Sequence, residues 1–114
     1  MKMIWAIVRW TRLKEVEESL FKIGERSFSV TKVKGIGEES GYLEYDLVSH
    51  LKIEIIVPED HVAKIKDVLI KAAWTGVRGD GLIAVLPVEE FAKIREAKGN
   101  RAPKNNMKQG IGKK

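Results

Sequence analysis

Twice along this chain a strand-period stretch is followed by a helical repeat and then by another strand-like run, which severely limits the folds it can adopt. In the first unit Ile4, Ala6 and Val8 fall on one face, and Trp5, Ile7 and Arg9 on the other. Leu13, Val16, Leu20 and Ile23 then recur at helical spacing, with Thr11 as the expected N-cap and Gly24 as the expected stop. Phe28, Val30, Thr31 and Val33 favour a strand that ends at Gly35, and a polar connection is expected over residues 35–50. In the second unit Leu51, Ile53, Ile55 and Val57 alternate with Lys52, Glu54 and Ile56. Pro58 opens a new element with Asp60 as its expected cap, and Val62, Ile65, Leu69 and Ala72 mark a second helix face. Leu82-Ile83-Ala84-Val85-Leu86 is the closing strand, stopped at Pro87. Residues 88–95 read equally as a short strand or as a helical turn.

Strand, helix, strand, repeated once in halves of similar length, is the pattern of an α+β, ferredoxin-like split βαβ domain (βαββαβ). Two helices are expected on one face of a four-stranded antiparallel sheet. The other face then carries Trp5, Ile7, Ile56 and Ala84 with nothing in the same chain to cover them. Burial is worth about 25 cal/mol per Å2 of apolar surface, so a partner subunit is the expected cover.

The 114 residues fit one domain, placed at 1–95, and 44% of them are hydrophobic, enough for a small core. The net charge of +5 is concentrated in residues 96–114, where six basic residues face Glu96 alone, whereas residues 1–95 are balanced. A basic, flexible tail over 96–114 is therefore expected, and no nucleic-acid-binding face on the domain. No run of about 18 apolar residues is present, so an integral membrane protein is not expected. The N-terminal stretch, interrupted by Arg9 and Arg12, reads as a strand and not as a signal peptide. Cysteine is absent, which excludes disulfides, thiolate metal sites and a cysteine nucleophile, and a cytoplasmic location is the default. Residues 1–95 also lack Asn and Gln and are rich in Lys and Glu, a composition that suits a thermophile.

The sequence offers little for catalysis. His50 stands at the start of a strand and His61 on the second helix as a solvated residue; neither has carboxylates at metal-ligand spacing. No serine lies in a nucleophile-elbow pattern, and the acidic pairs fit solvated faces and helix starts. No enzyme and no metal are expected. Phosphate binding has a better claim. Thr75-Gly76-Val77-Arg78-Gly79-Asp80-Gly81 puts three glycines in seven residues between a helix and a strand. Such a turn can bring successive backbone N–H groups onto one anion, although an ordinary turn has the same composition. Lys93 and Arg95 are two apart, so in a strand they share a face and could neutralise a di- or triphosphate.

Five segments, in order, resemble the nitrogen-regulatory PII signalling family over about residues 1–95. Residues 1–9 look like its opening strand. Thr31-Lys32-Val33-Lys34-Gly35-Ile36-Gly37 is similar to the entry to its regulatory T-loop, and Lys52-Ile53-Glu54-Ile55-Ile56-Val57-Pro58 to the strand that leaves it. Residues 75–81 are similar to its phosphate-binding B-loop, and Lys93-Ile94-Arg95 falls where the family carries a basic pair that reaches nucleotide phosphates. The resemblance implies a homotrimer that binds ADP, ATP or AMP in clefts between subunits and engages a transporter or metabolic enzyme through the T-loops. The implied nucleotide-binding residues are Ser29, Gly35, Gly37, Ile56, Gly79, Asp80, Gly81, Lys93 and Arg95.

The chain also departs from the family pattern. Its T-loop between Gly37 and Lys52 is shorter, and Tyr42 and Tyr45 lack the context of the tyrosine that some members modify. Glu39 stands for a glutamine that helps bind Mg2+ and 2-oxoglutarate, His50 for a lysine near the loop's exit, and Leu82 for the lysine after Gly-Asp-Gly. Glu38 and Glu39 would also meet polyphosphate charge; one like pair 4 Å apart costs about 4 kcal/mol at an effective dielectric near 20. Two functions follow: a trimeric nucleotide-sensing regulator with a short T-loop, or a PII-like interaction or scaffold trimer that has lost nucleotide and 2-oxoglutarate sensing. An RNA-binding domain on the same fold would want exposed aromatics beside basic residues on the central strands, and residues 28–35 carry no such run.

Overall fold

The computed structural model describes residues 1–36 and 48–101. Strand β1 (Lys2–Arg9) leads through a 3-10 turn (Trp10–Arg12) into helix α1 (Leu13–Lys22). Strands β2 (Ser29–Gly35) and β3 (Val48–Val57) follow. A second 3-10 turn (Glu59–His61) opens helix α2 (Val62–Ala73). Strand β4 (Gly81–Pro87) and helix α3 (Ile94–Arg101) complete the described chain.

The four strands form one antiparallel sheet in the order β2-β3-β1-β4. Each strand–helix–strand unit leaves a gap that the other fills. β3 lies between β1 and β2, and β1 lies between β3 and β4. This is the ferredoxin-like arrangement expected from the doubled pattern.

Register explains the core. Ile4 pairs with Ile55, Ala6 with Ile53 and Val8 with Leu51, so the apolar residues of both central strands share one face. Val16 and Leu20 of α1 and Ile65, Leu69, Ala72 and Ala73 of α2 pack down onto it, and all of these residues are buried. Leu13, Ile23 and Val62 pack at its margin, which completes the two helix faces read from the sequence.

Gly24 ends α1 as expected. Its φ is +85°, its N–H donates to Phe21 O at 3.0 Å, and the next N–H, of Glu25, reaches back to Leu20 O at 2.9 Å. This pair of bonds is the glycine-dependent helix stop. The two expected N-caps are not formed. Thr11 lies inside the first 3-10 turn, so α1 starts at Leu13 with Arg12 at the cap position and no side-chain bond. Asp60 lies inside the second turn, and His61 takes the cap position of α2, again with no side-chain bond. In both cases the 3-10 turn satisfies backbone groups by i→i+3 bonding and moves the helix start past the polar residue. His61 is therefore in a turn and not on the helix body, with Nδ1 3.6 Å from the Glu25 carboxylate.

The opposite sheet face carries Met3, Trp5 and Ile7 from β1, Ile56 from β3, and Leu82, Ala84 and Leu86 from β4, as their mutual register requires. Leu82 is 54% exposed and Leu86 41%, so this apolar face is open within one chain. Lys52 extends over the Trp5 ring, 5.4 Å from its centroid, and covers part of it.

β3 starts three residues before Leu51, so the connection expected over residues 35–50 is shorter than that. Ser49 and His50 already pair with Lys34 and Val33. Residues 88–93 form no strand, and Arg95 sits in the first turn of α3. That helix runs across residue 96 to Arg101.

Candidate functional site

The loop between α2 and β4 is organised around one carboxylate. Asp80 Oδ2 accepts the N–H of Thr75 at 2.7 Å and that of Gly76 at 2.9 Å. Asp80 Oδ1 accepts the Thr75 hydroxyl and, at 3.0 Å, Arg9 Nε. The Thr75 hydroxyl in turn accepts the Val77 N–H at 3.2 Å. The Thr75 hydroxyl and amide, joined by Arg9 and the Gly76 amide, hold the Asp80 carboxyl well below the usual carboxylate range. The charge of Asp80 is therefore directed into the loop, and its side chain acts as a staple between residues 75 and 80.

Arg9 supplies the second attachment. It ends β1 on the open face of the sheet, and its Nη2 donates to the carbonyl oxygens of Val77, at 3.3 Å, and Arg78. The guanidinium thus grips the carboxylate and the backbone of one loop at once, which its forked geometry allows. His50, the register partner of Arg9 on β3, adds a third attachment, with Nε2 3.1 Å from Gly79 O.

Gly81 fixes where the loop rejoins the sheet. Its φ is +110°, and a Cβ built there would lie 1.8 Å from Ile7 O. Only glycine permits this approach to β1. Beside Gly81, a cleft of about 340 Å3 opens between the last turns of α2 and β4, lined by Lys66, Ile70, Trp74 and Leu82 among others.

The residues expected at a nucleotide site divide between the two ends of the sheet. Gly79, Asp80 and Gly81 lie at the end where β1 finishes, and Gly35 lies at that end of β2, opposite Val48. Ser29 begins β2 at the far end, opposite Glu54, and Ile56 lies towards that end on the open face, opposite Met3. A seven-residue strand spans roughly 20 Å, too far for both groups to touch one phosphate chain. The chain also leaves β4 at the far end, at Pro87 opposite Lys2, before reaching Lys93 and Arg95. The shared face held only for the strand alternative, and the chain forms no strand there. Arg95 is helical and Lys93 precedes the helix, so the period-two rule of a strand does not apply to them. Gly37, Glu38, Glu39, Tyr42 and Tyr45 lie outside the described residues.

Arg9 and His50 were not among the expected site residues. Arg9 is in phase with Trp5 and Ile7, and His50, noted above for the lysine it replaces, with Lys52, Glu54 and Ile56; this shared open-face parity acquires meaning once β1 and β3 are known to pair. Among the described residues no group of three or more His, Asp and Glu is placed to hold a metal ion, and no helix is long and apolar enough to cross a membrane.

Comparison with known proteins agrees with this architecture. The family model described as "Nitrogen regulatory protein P-II" matches residues 1–98. The nitrogen regulatory protein P-II of Porphyra purpurea is 41% identical over 103 residues, covering 83% of this chain and 92% of the relative. The nitrogen regulatory protein P-II 1 of Escherichia coli (strain K12) is 39% identical with the same coverage. The crystal structure of Arabidopsis thaliana PII bound to citrate superposes with a TM-score of 0.72 at 39% identity, covering 82% of each chain. The chain belongs to the nitrogen regulatory protein P-II family, and so to a class of signal-transduction regulators that are not enzymes.

Proposed function

We propose that this protein is a homotrimeric, cytoplasmic regulator that binds an adenine nucleotide in clefts between subunits and controls a partner protein of nitrogen or related metabolism through its short T-loop. The loop at residues 75–81 carries this reading. Its backbone is held by contacts to Asp80, Arg9 and His50, and a turn of backbone amides fixed in this way is suited to phosphate. The split of the remaining candidates between the two ends of the sheet favours clefts built from two protomers. One subunit would bring residues 79–81 and Gly35, and its neighbour Lys93 or Arg95. The open face of Trp5, Ile7, Ile56 and Leu86 supplies the apolar area that such an assembly buries.

ADP, ATP and AMP are the candidate ligands, without a response to 2-oxoglutarate, because Glu39 and His50 replace a glutamine and a lysine. Thermal unfolding with each nucleotide, together with light scattering, tests the reading. A bound nucleotide at 100 times its Kd should add about 2.7 kcal/mol of stability. A monomer at micromolar concentration would defeat the trimer, and no shift with any of the three nucleotides would defeat the sensor.

A second reading has its own support. Leu82, 54% exposed beside Gly81, puts an apolar side chain where phosphate charge would want a cation. A trimer acting only as an interaction scaffold would keep its apolar face and show no nucleotide-induced shift.

A further inference from the structure

The loop at residues 75–81 is held to the sheet through its carbonyl oxygens, and this dictates where its amides point. Arg9 Nη2 takes Val77 O and Arg78 O, and His50 Nε2 lies 3.1 Å from the next carbonyl, Gly79 O. Arg9 and His50 are register partners on β1 and β3, so both side chains leave the same face at the same end of the sheet. No described peptide bond is cis. In a trans peptide the C=O of one residue and the N–H of the next point in opposite directions. Three consecutive carbonyls turned towards Arg9 and His50 therefore turn the N–H groups of Arg78, Gly79 and Asp80 to the other side of the loop. None of these three donates a hydrogen bond among the described residues. The preceding N–H groups are all engaged, those of Thr75 and Gly76 by Asp80 and that of Val77 by the Thr75 hydroxyl.

We infer that Arg9 and His50 are positioning residues that aim the N–H groups of Arg78, Gly79 and Asp80 at the oxygens of a polyphosphate ligand. The inference rests on the nucleotide reading and deepens it. It moves the anion cradle one residue earlier than residues 79–81, because Gly81 already belongs to β4 opposite Val8. It also gives Asp80 two separate jobs, a side chain that staples the loop and an amide that faces the ligand. His50 is suited to its part because its Nε2 reaches a carbonyl as a donor. Arg9 is suited because one guanidinium spans Asp80 and two carbonyls, which a single ammonium nitrogen cannot do.

The test uses the full chain with ADP and with inorganic pyrophosphate, followed by calorimetry and by the amide resonances of Arg78, Gly79 and Asp80. His50→Leu should weaken ADP about three- to tenfold, the effect of losing one positioning hydrogen bond. His50→Gln should recover most of that loss, because the amide Nε2 donates at similar reach. In the ligand-free proteins the three amide resonances should move in His50→Leu and return towards the parent positions in His50→Gln. Arg9→Lys, which keeps the charge and loses the fork, should shift the same amides and weaken both probes. Parent-like affinity and unshifted amides in His50→Leu and Arg9→Lys would overturn the inference, and so would a His50→Gln protein that folds and still behaves as His50→Leu. If the parent binds neither probe, the nucleotide reading and the ligand half of this inference fall together; the amide positions still decide whether Arg9 and His50 hold the loop.

Discussion

Arg9 and Asp80 are 71 positions apart in sequence, yet the guanidinium Nε of one lies 3.0 Å from the carboxylate Oδ1 of the other. The contact joins the end of the first strand to the loop that precedes the last strand. It also turns Arg9 so that a second nitrogen reaches two loop carbonyls, and the loop is thereby fixed to the sheet at its charge and at its backbone.

Asp80 should give the loop an acid-sensitive attachment. Its carboxyl titrates well below the ordinary aspartate value, chiefly through the Thr75 hydroxyl and amide. A folded-state pKa below the unfolded one contributes stability that is complete above the unfolded pKa of about 3.9 and is lost as pH falls from there towards the folded value. Asp80→Asn should therefore be less stable than the parent at neutral pH, with the gap narrowing below about pH 4. Chemical unfolding at pH 7 and pH 3 measures this, and a gap that widened in acid would contradict the assignment.

Gly81→Ala should damage the fold as well as any ligand site. The new Cβ would meet Ile7 O at 1.8 Å in a backbone with φ of +110°, so strand β1 or the loop must move. A cost of at least about 1–3 kcal/mol is expected, typical of overpacking. A thermal melt within error of the parent would show that the loop rejoins the sheet by another path.

Leu69→Ala should be among the most harmful helix substitutions. Leu69 is fully buried in the core between α2 and the sheet, so truncating it removes buried apolar contacts and leaves a cavity. The expected loss is about 2–5 kcal/mol by denaturant unfolding.

Leu86→Asp probes the open face. Leu86 pairs with Met3 away from the helices and is 41% exposed in one chain. A carboxylate there leaves the helix-side core intact but would be buried unpaired in a trimer. Light scattering should show a folded monomer or a strongly weakened assembly, and an unchanged trimer would place the interface elsewhere.

Arg95→Ala addresses the nucleotide directly. Arg95 is exposed in the first turn of α3, so its loss leaves the core untouched. If it closes the cleft from a neighbouring subunit, ADP should bind about ten- to a hundredfold more weakly, the range for a charge-assisted contact. Lys98→Ala is the control and should leave affinity unchanged.

The sequence alone determined the elements and the core of this protein. A period of two at Ile4, Ala6 and Val8 and at Leu51, Ile53 and Ile55, together with helical spacing at Val16, Leu20, Ile65 and Leu69, is a local property of the chain. Each of these residues is buried. Gly24 also carried its meaning locally, because a helix stop needs only the residues of one turn. Helix starts did not follow the same logic. Thr11 and Asp60 have the right chemistry to cap, but the 3-10 turns that begin both helices displace them. Residues 88–95 held too few periodic positions to separate strand from helix, and the start of α3 at Ile94 settled the matter. The arrangement around the loop was decided by tertiary structure. Which residue faces Arg9 depends on β3 lying beside β1 in a particular register, and only that register brings His50 alongside it. Both must then meet a loop some thirty to seventy residues away, at Gly79 and Asp80. Spacing along the chain carries no trace of such contacts, because they are made by the order of strands in the sheet.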